Sequence, residues 1–189
     1  YGDAGTGKSS TVKAVAASMA PDGLRVIEVR KNQLYQIPDI MEELSVNPLR
    51  FIIFIDDLSF NGNDDNFSAL KATLEGSISG CSDNIAIYAT SNRRHLVKET
   101  FSDRTGDELH VNDTLQETMS LAARFGLTIT FQKPDKDEYL HIVKELAAEY
   151  GVDMDEAELF RKAEAHAIRK NGRSPRTAKQ FIELLKIGI

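Results

Sequence analysis

The segment Gly2-Asp3-Ala4-Gly5-Thr6-Gly7-Lys8-Ser9 fits G-x-x-x-x-G-K-[ST] at every fixed position. Glycines at these spacings let the backbone close round an anion, with successive N–H groups turned inward. A helix read over Lys8 to Met19 would bring the positive end of its dipole to the same point. Lys8 could then reach terminal phosphates, and the Ser9 hydroxyl could bind Mg²⁺. Asp3, Ala4, Gly5, Thr6, Gly7, Lys8, Ser9 and Ser10 are the candidate nucleotide-binding residues. Val12, Val15, Ala16 and Met19 would form the apolar face of the helix. The competing reading is a glycine-rich turn before an ordinary helix. The complete match and that apolar face both disfavour it.

Such a loop follows a strand placed where the order of a doubly wound parallel sheet switches. Only Tyr1 precedes Gly2. Without that strand the sheet would carry unpaired edges in its middle. The expectation is therefore a fragment of a longer chain, with the first core strand missing from it.

Downstream, short apolar runs alternate with helical patterns. Leu24 to Val29, Arg50 to Asp56, Ile85 to Thr90 and Leu127 to Phe131 read as strands. Ile37 to Ser45, Phe67 to Leu74 and a segment ending near Arg124 read as helices, the last stopped by Gly126. The polar stretch from Lys98 to about Thr118 reads as an irregular insertion. After Pro134 the pattern becomes helical only. Asp135 with Glu138 resembles a capping pair, followed by a stripe of Tyr139, Ile142, Val143, Leu146 and Tyr150. A second helix spans about Asp155 to Lys170. A third starts at Ser174-Pro175 and carries Ala178, Phe181, Ile182 and Leu185 on one face. This predicts an α/β fold, a doubly wound parallel sheet over residues 1–132, with a small helical domain over residues 133–189.

The bulk numbers narrow the classes. A chain of 189 residues holds one α/β domain and a small appendage. A net charge of −6 disfavours a broad nucleic-acid surface. It leaves open a local one at Arg169, Lys170, Arg173, Arg176 and Lys179, which reads equally as a solvated helix face. The longest aliphatic or aromatic run, Phe51 to Ile55, is too short to span a bilayer, so no membrane partner is expected. The single Cys81 permits no internal disulfide, and a cytoplasmic location is the default expectation. His95, His110, His141 and His166 are widely spaced and make no metal signature. Gly76-Ser77-Ile78-Ser79-Gly80 has the glycines of a nucleophile elbow but Ile78 at its centre.

The strand Phe51 to Ile55 ends in Asp56-Asp57. Beside a phosphate loop this is the Walker B arrangement. Asp56 would hold Mg²⁺ together with Ser9, and Asp57 would orient or polarise the attacking water. Two solvated acids at a strand end are the plain alternative.

With these stretches the chain resembles the AAA+ ATPases, and within them a bacterial family of ATP-binding proteins of unknown function. The resemblance is carried by GDAGTGKSS, FIIFIDDLSF, IYATSNRRHL, SLAARFGLTITF and GRSPRTAKQF, which together run through nearly the whole chain. It implies an α/β core, a helical lid, and ATP or ADP with Mg²⁺ held at their junction. It makes Asn92 the sensor 1 residue, Arg124 an arginine finger reaching a neighbouring subunit's nucleotide, and Arg176 the sensor 2 residue of the lid. Lys8, Asp57, Asn92 and Arg124 are thus the candidate catalytic residues. Arg176 also stands out by itself, because a cation in the first turn of a helix is disfavoured unless an anion lies nearby. Many AAA+ members have Asp-Glu where this chain has Asp56-Asp57, so Asp57 is one methylene shorter than usual.

The function expected is Mg²⁺-dependent ATP hydrolysis coupled to conformational change in a homo-oligomer acting on a protein client. Two alternatives stay open: a nucleotide-gated switch with weak hydrolysis, and a nucleic-acid loader or initiator, the latter not favoured by the charge. A threading unfoldase is disfavoured, because Lys31 to Pro48 leaves little room for a pore loop. Adenine is implied by the resemblance, and no guanine-reading Asn-Lys-x-Asp stretch occurs.

Overall fold

The computed structural model describes residues 1–59, 68, 70–74, 82–92, 124–170 and 172–188. The expected insertion, the elbow-like Gly76 to Gly80 segment and most of the helix leading to Arg124 lie outside these residues. The chain forms two compact units, one of Tyr1 with Ser9–Ile129, the other of Gly2–Lys8 with Thr130–Ile189.

In the first unit, β2 (Arg50–Ile55) is the central strand. Its last five residues are all buried, as a strand covered on both faces must be. It pairs in parallel with β1 (Leu24–Glu28) on one side and β3 (Ile85–Ala89) on the other. Alternation then sorts the apolar side chains. Phe51, Ile53 and Ile55 pack with Leu34, Ile37 and Leu70 in one core, to which α2 (Ile37–Ser45) contributes. Ile52 and Phe54 point the other way and pack with Leu24 and with Val12 and Ala16 of α1 (Lys8–Ser18). Helices on both faces of a parallel sheet make the expected doubly wound α/β arrangement. Residues 70–74 are helical, within the segment read as a helix.

Two expectations are corrected. Val15 and Met19 do not join the buried face of α1, being 48% and 42% exposed. Val15 sits about 60° round the helix from Val12 and about 100° from Ala16, beyond the stripe that meets the sheet, and Met19 follows the last residue of α1. Leu127 to Phe131 is not a strand among the described residues. Its pairing is a parallel bridge between Phe131 and Gly2, and a 2.8 Å hydrogen bond from the Tyr1 amino group to the Ile129 carbonyl. The alternating pattern is present, but a strand requires a ladder of partners, and Leu127 and Ile129 are exposed.

The second unit contains α3 (Lys136–Tyr150), α4 (Glu156–Arg169) and α5 (Pro175–Lys186). Each begins on a side-chain cap: Asp135 in a reciprocal box with Glu138, Asp155, and Ser174 before Pro175. Gly151 closes α3 in the left-handed conformation. Tyr139, Val143, Leu159, Phe181 and Ile182 form the core, with Ala163, Ala167 and Ala178 between them. The fully buried Tyr139 donates its hydroxyl to the Ala163 carbonyl at 3.2 Å. Burial, with Glu164 nearby, pushes the phenol up to about 12. No helix among the described residues is long and apolar enough to cross a membrane.

His166 is the unusual member of this core. It is buried, its ring lies 5.6 Å from that of Phe181, and its Nε2 has no hydrogen-bond partner among the described residues. Burial first, then Lys170 and Arg169, hold its pKa below the ordinary value. The unfolded chain therefore takes up this proton before the folded one does. The neutral ring contributes stability above its unfolded pKa of about 6.5, and that contribution is lost as pH falls through the lower folded value. Thermal melts of the full chain between pH 7.5 and 5 should show a falling midpoint, with a smaller fall in His166→Leu. Parallel curves for the two proteins would refute this.

Candidate functional site

The loop is built from its glycines. Gly2, Gly5 and Gly7 all have positive φ, at +152°, +80° and +95°. Gly5 occupies a position the motif leaves free, yet a side chain there would be strained. A Cβ would also stand 3.2 Å from both the Arg176 Cβ and the Ser174 Oγ. The Arg176 N–H donates to the Gly5 carbonyl at 3.2 Å, so a first-turn N–H of α5 ends on the loop. Lys8, the first residue of α1, is buried. Its Nζ donates to the Gly2 and Asp3 carbonyls at 2.9 and 2.7 Å. Thr6 Oγ1 also donates to the Asp3 carbonyl, at 2.8 Å. Three hydrogen bonds from Lys8 and Thr6 thus end on the Gly2 and Asp3 carbonyls, and they tether the ammonium to its own loop. Glycine φ angles of this kind with a tethered ammonium suit a polyphosphate. Asp3 and Ala4 are exposed, and the Asp3 carboxylate lies 3.9 Å from Lys133 Nζ.

The acids are built from the strand ends. Beyond Ile55 the chain leaves β2, and Asp56 accepts three hydrogen bonds, all on Oδ1. They come from Ser9 Oγ and Thr90 Oγ1, both at 2.5 Å, and from the Asp57 N–H at 3.1 Å. Burial raises the pKa of this carboxyl, but the three donors outweigh it and hold the group below its ordinary value. Asp57 is the one non-glycine residue with positive φ among the described residues, at +54°. Aspartate tolerates that region better than most side chains. Its Oδ1 accepts from Asn92 Nδ2 at 2.6 Å. The Ser9 hydroxyl and Asp56 carboxylate are hard oxygen donors of the kind Mg²⁺ takes, one or two at a time, with water and phosphate completing its shell. No group of three or more His, Cys, Asp or Glu that could cage a metal occurs among the described residues.

Ser9, Asp56, Asp57 and Asn92 are therefore brought together within the first unit. Within the second, the loop meets Arg176 through its main chain, while the Arg176 side chain is exposed. Ser10 is exposed on α1, and Arg124 is half-buried. The basic cluster is partly neutralised: Arg173 makes two hydrogen bonds to Glu164, at 2.9 and 2.6 Å, and Lys179 lies 4.0 Å from Glu183. Thr90 was not singled out by sequence. Its signal is a hydroxyl two residues before Asn92, at the end of an otherwise apolar strand.

Comparison with solved structures identifies the fold. The FIGL-1 AAA domain in complex with ADP matches with a TM-score of 0.59 at 17% identity, covering 99% of this chain and 59% of that one. The Thermotoga maritima RuvB Holliday junction branch migration motor matches with 0.60 at 16%, covering 98% and 52%. The replication initiator DnaA bound to AMPPCP and single-stranded DNA matches with 0.61 at 18%, covering 100% and 54%. The chain thus spans little more than half the length of these proteins. Among curated proteins no match is found. A family profile described as "Protein of unknown function (DUF815)" matches residues 1–188. The chain belongs to that family, and its fold is that of the AAA+ P-loop NTPases.

Proposed function

We propose that this chain binds ATP with Mg²⁺ and hydrolyses it, as the core and lid of an oligomeric AAA+ protein. The observation that carries the reading is the 2.5 Å hydrogen bond from Ser9 Oγ to Asp56 Oδ1. It joins the last residue of the loop motif to an acid 47 positions on, the two groups that Mg²⁺–phosphate binding needs side by side. The ADP complex of FIGL-1 and the AMPPCP complex of DnaA support the choice of an adenine nucleotide.

In this reading the N–H groups of residues 3–10 hold the phosphates, and Lys8 exchanges its two carbonyl partners for phosphate oxygens. Ser9 and Asp56 hold Mg²⁺, which when bound offsets the phosphate charge. Asp57 accepts the proton of the attacking water, and Asn92 orients both. Arg176 reaches the phosphates from residues 133–189, the lid, and Arg124 serves the nucleotide of a neighbouring copy of residues 1–132. Turnover per chain should then rise with protein concentration, and a constant value would remove the Arg124 role.

The full chain should bind ADP, more tightly with Mg²⁺, and it should release phosphate from ATP only with Mg²⁺ present. Lys8→Ala should weaken ADP binding about tenfold or more, since charge-assisted hydrogen bonds contribute about 1.5–3 kcal/mol each. Calorimetric titration that detects no ADP binding by the wild type would end the proposal. A second reading, a switch that hydrolyses slowly, is favoured by one contact: Asp57 is engaged by Asn92 at 2.6 Å. Brisk hydrolysis by the wild type would dismiss it. A loader of nucleic acid is less well supported, because Arg173 of the basic cluster is already committed to Glu164.

A further inference from the structure

Thr90 stands just past β3 and is buried, 5% exposed. Four hydrogen bonds tie it to the segment carrying the acids. Its N–H donates to the Ile55 carbonyl at 2.9 Å, and its carbonyl accepts from the Leu58 N–H at 2.7 Å. Its hydroxyl donates to Asp56 Oδ1 at 2.5 Å and accepts from the Asp57 N–H at 3.0 Å. The two main-chain bonds would form with any residue here. The two side-chain bonds need a hydroxyl, because one proton and one lone pair must be presented from a single atom.

The consequences differ for the two acids. Asp56 has its carboxylate turned by two hydroxyls acting on the same oxygen, Ser9 from α1 and Thr90 from β3. Among the described residues its other oxygen accepts no hydrogen bond, which leaves it to a cation. Asp57 has its N–H fixed at a left-handed residue, where the backbone is least settled by local preference. A Val at 90 would match the shape and supply neither contact.

We propose that Thr90 is a positioning residue, setting the Asp56 carboxylate for Mg²⁺ and the Asp57 backbone for its role beside the water. This rests on the ATP–Mg²⁺ reading above. The test uses the full chain, as wild type, Thr90→Val, Thr90→Ala and Thr90→Ser, titrated with a fluorescent ADP analogue in EDTA and over a Mg²⁺ series. Groups that orient a metal ligand typically change metal affinity 10–100-fold. The Mg²⁺ concentration at half-effect should therefore rise about tenfold in Thr90→Val and Thr90→Ala, and stay within about twofold of wild type in Thr90→Ser. Affinity in EDTA should be the same for all four. A wild-type Mg²⁺ midpoint in Thr90→Val or Thr90→Ala overturns the proposal and leaves the ATP reading standing. Equal loss of binding with and without Mg²⁺ overturns it too, since the residue then only holds the fold. No Mg²⁺-dependent binding by the wild type overturns the ATP reading itself.

Discussion

Asp57→Asn is expected to bind ATP and Mg²⁺ as the wild type does and to lose hydrolysis by a hundredfold or more. The separation follows from the geometry. Asp57 sits at φ +54° with its Oδ1 accepting from Asn92 at 2.6 Å. Asparagine adopts the left-handed region as readily as aspartate, and its amide oxygen can take the same hydrogen bond. The substitution therefore removes basicity with little disturbance of shape. A positioned general base contributes about 10²–10⁴-fold, which sets the size of the loss. Single-turnover phosphate release, beside nucleotide titration, measures both quantities. Wild-type turnover in the variant would remove Asp57 from the reaction. The longer Asp57→Glu, which restores the commoner AAA+ residue, is not expected to be faster. Glutamate is less at ease in the left-handed region, and its carboxylate would have to leave the Asn92 contact.

Phe54→Ala is expected to cost the largest amount of stability, about 3–5 kcal/mol, as for other fully buried phenylalanines. Phe54 is 0% exposed, one residue before the end of the central strand, packed with Ala16, Leu24 and Ile52. Lys13 Nζ lies 6.0 Å from its ring centre. Alanine leaves a cavity between sheet and α1 that the strand pairs on both sides keep from closing. Urea unfolding followed by circular dichroism gives the difference, and a loss under about 1 kcal/mol would mean the site collapses freely. Because Asp56 lies two residues further along, the same variant should also weaken Mg²⁺-dependent binding.

What could be read from the residues divides along physical lines. Strands β1, β2 and β3 and the three capped helices were legible, because each rests on local spacing: a run of buried residues or a capping side chain. Val15 was misjudged because periodicity gives a face but not how wide a stripe the neighbouring surface covers, and Met19 because the helix ends one residue before it. Leu127 to Phe131 alternates as a strand does, yet pairing is a property of the partner. Thr90 was missed because its role comes from register: β3 beside β2 sets its hydroxyl between two acids 33 and 34 positions away. The left-handed Asp57 has no sequence signature beyond its identity.

The bond from the Arg176 N–H to the Gly5 carbonyl belongs to the peptide units, not to the side chains. Alanine scanning of α5 would leave it intact. A variant stripped of the Arg176 guanidinium would report on that guanidinium alone, and the helix would still end on the loop. To sever this joint requires an ester in place of the 175–176 amide, or a proline at 176.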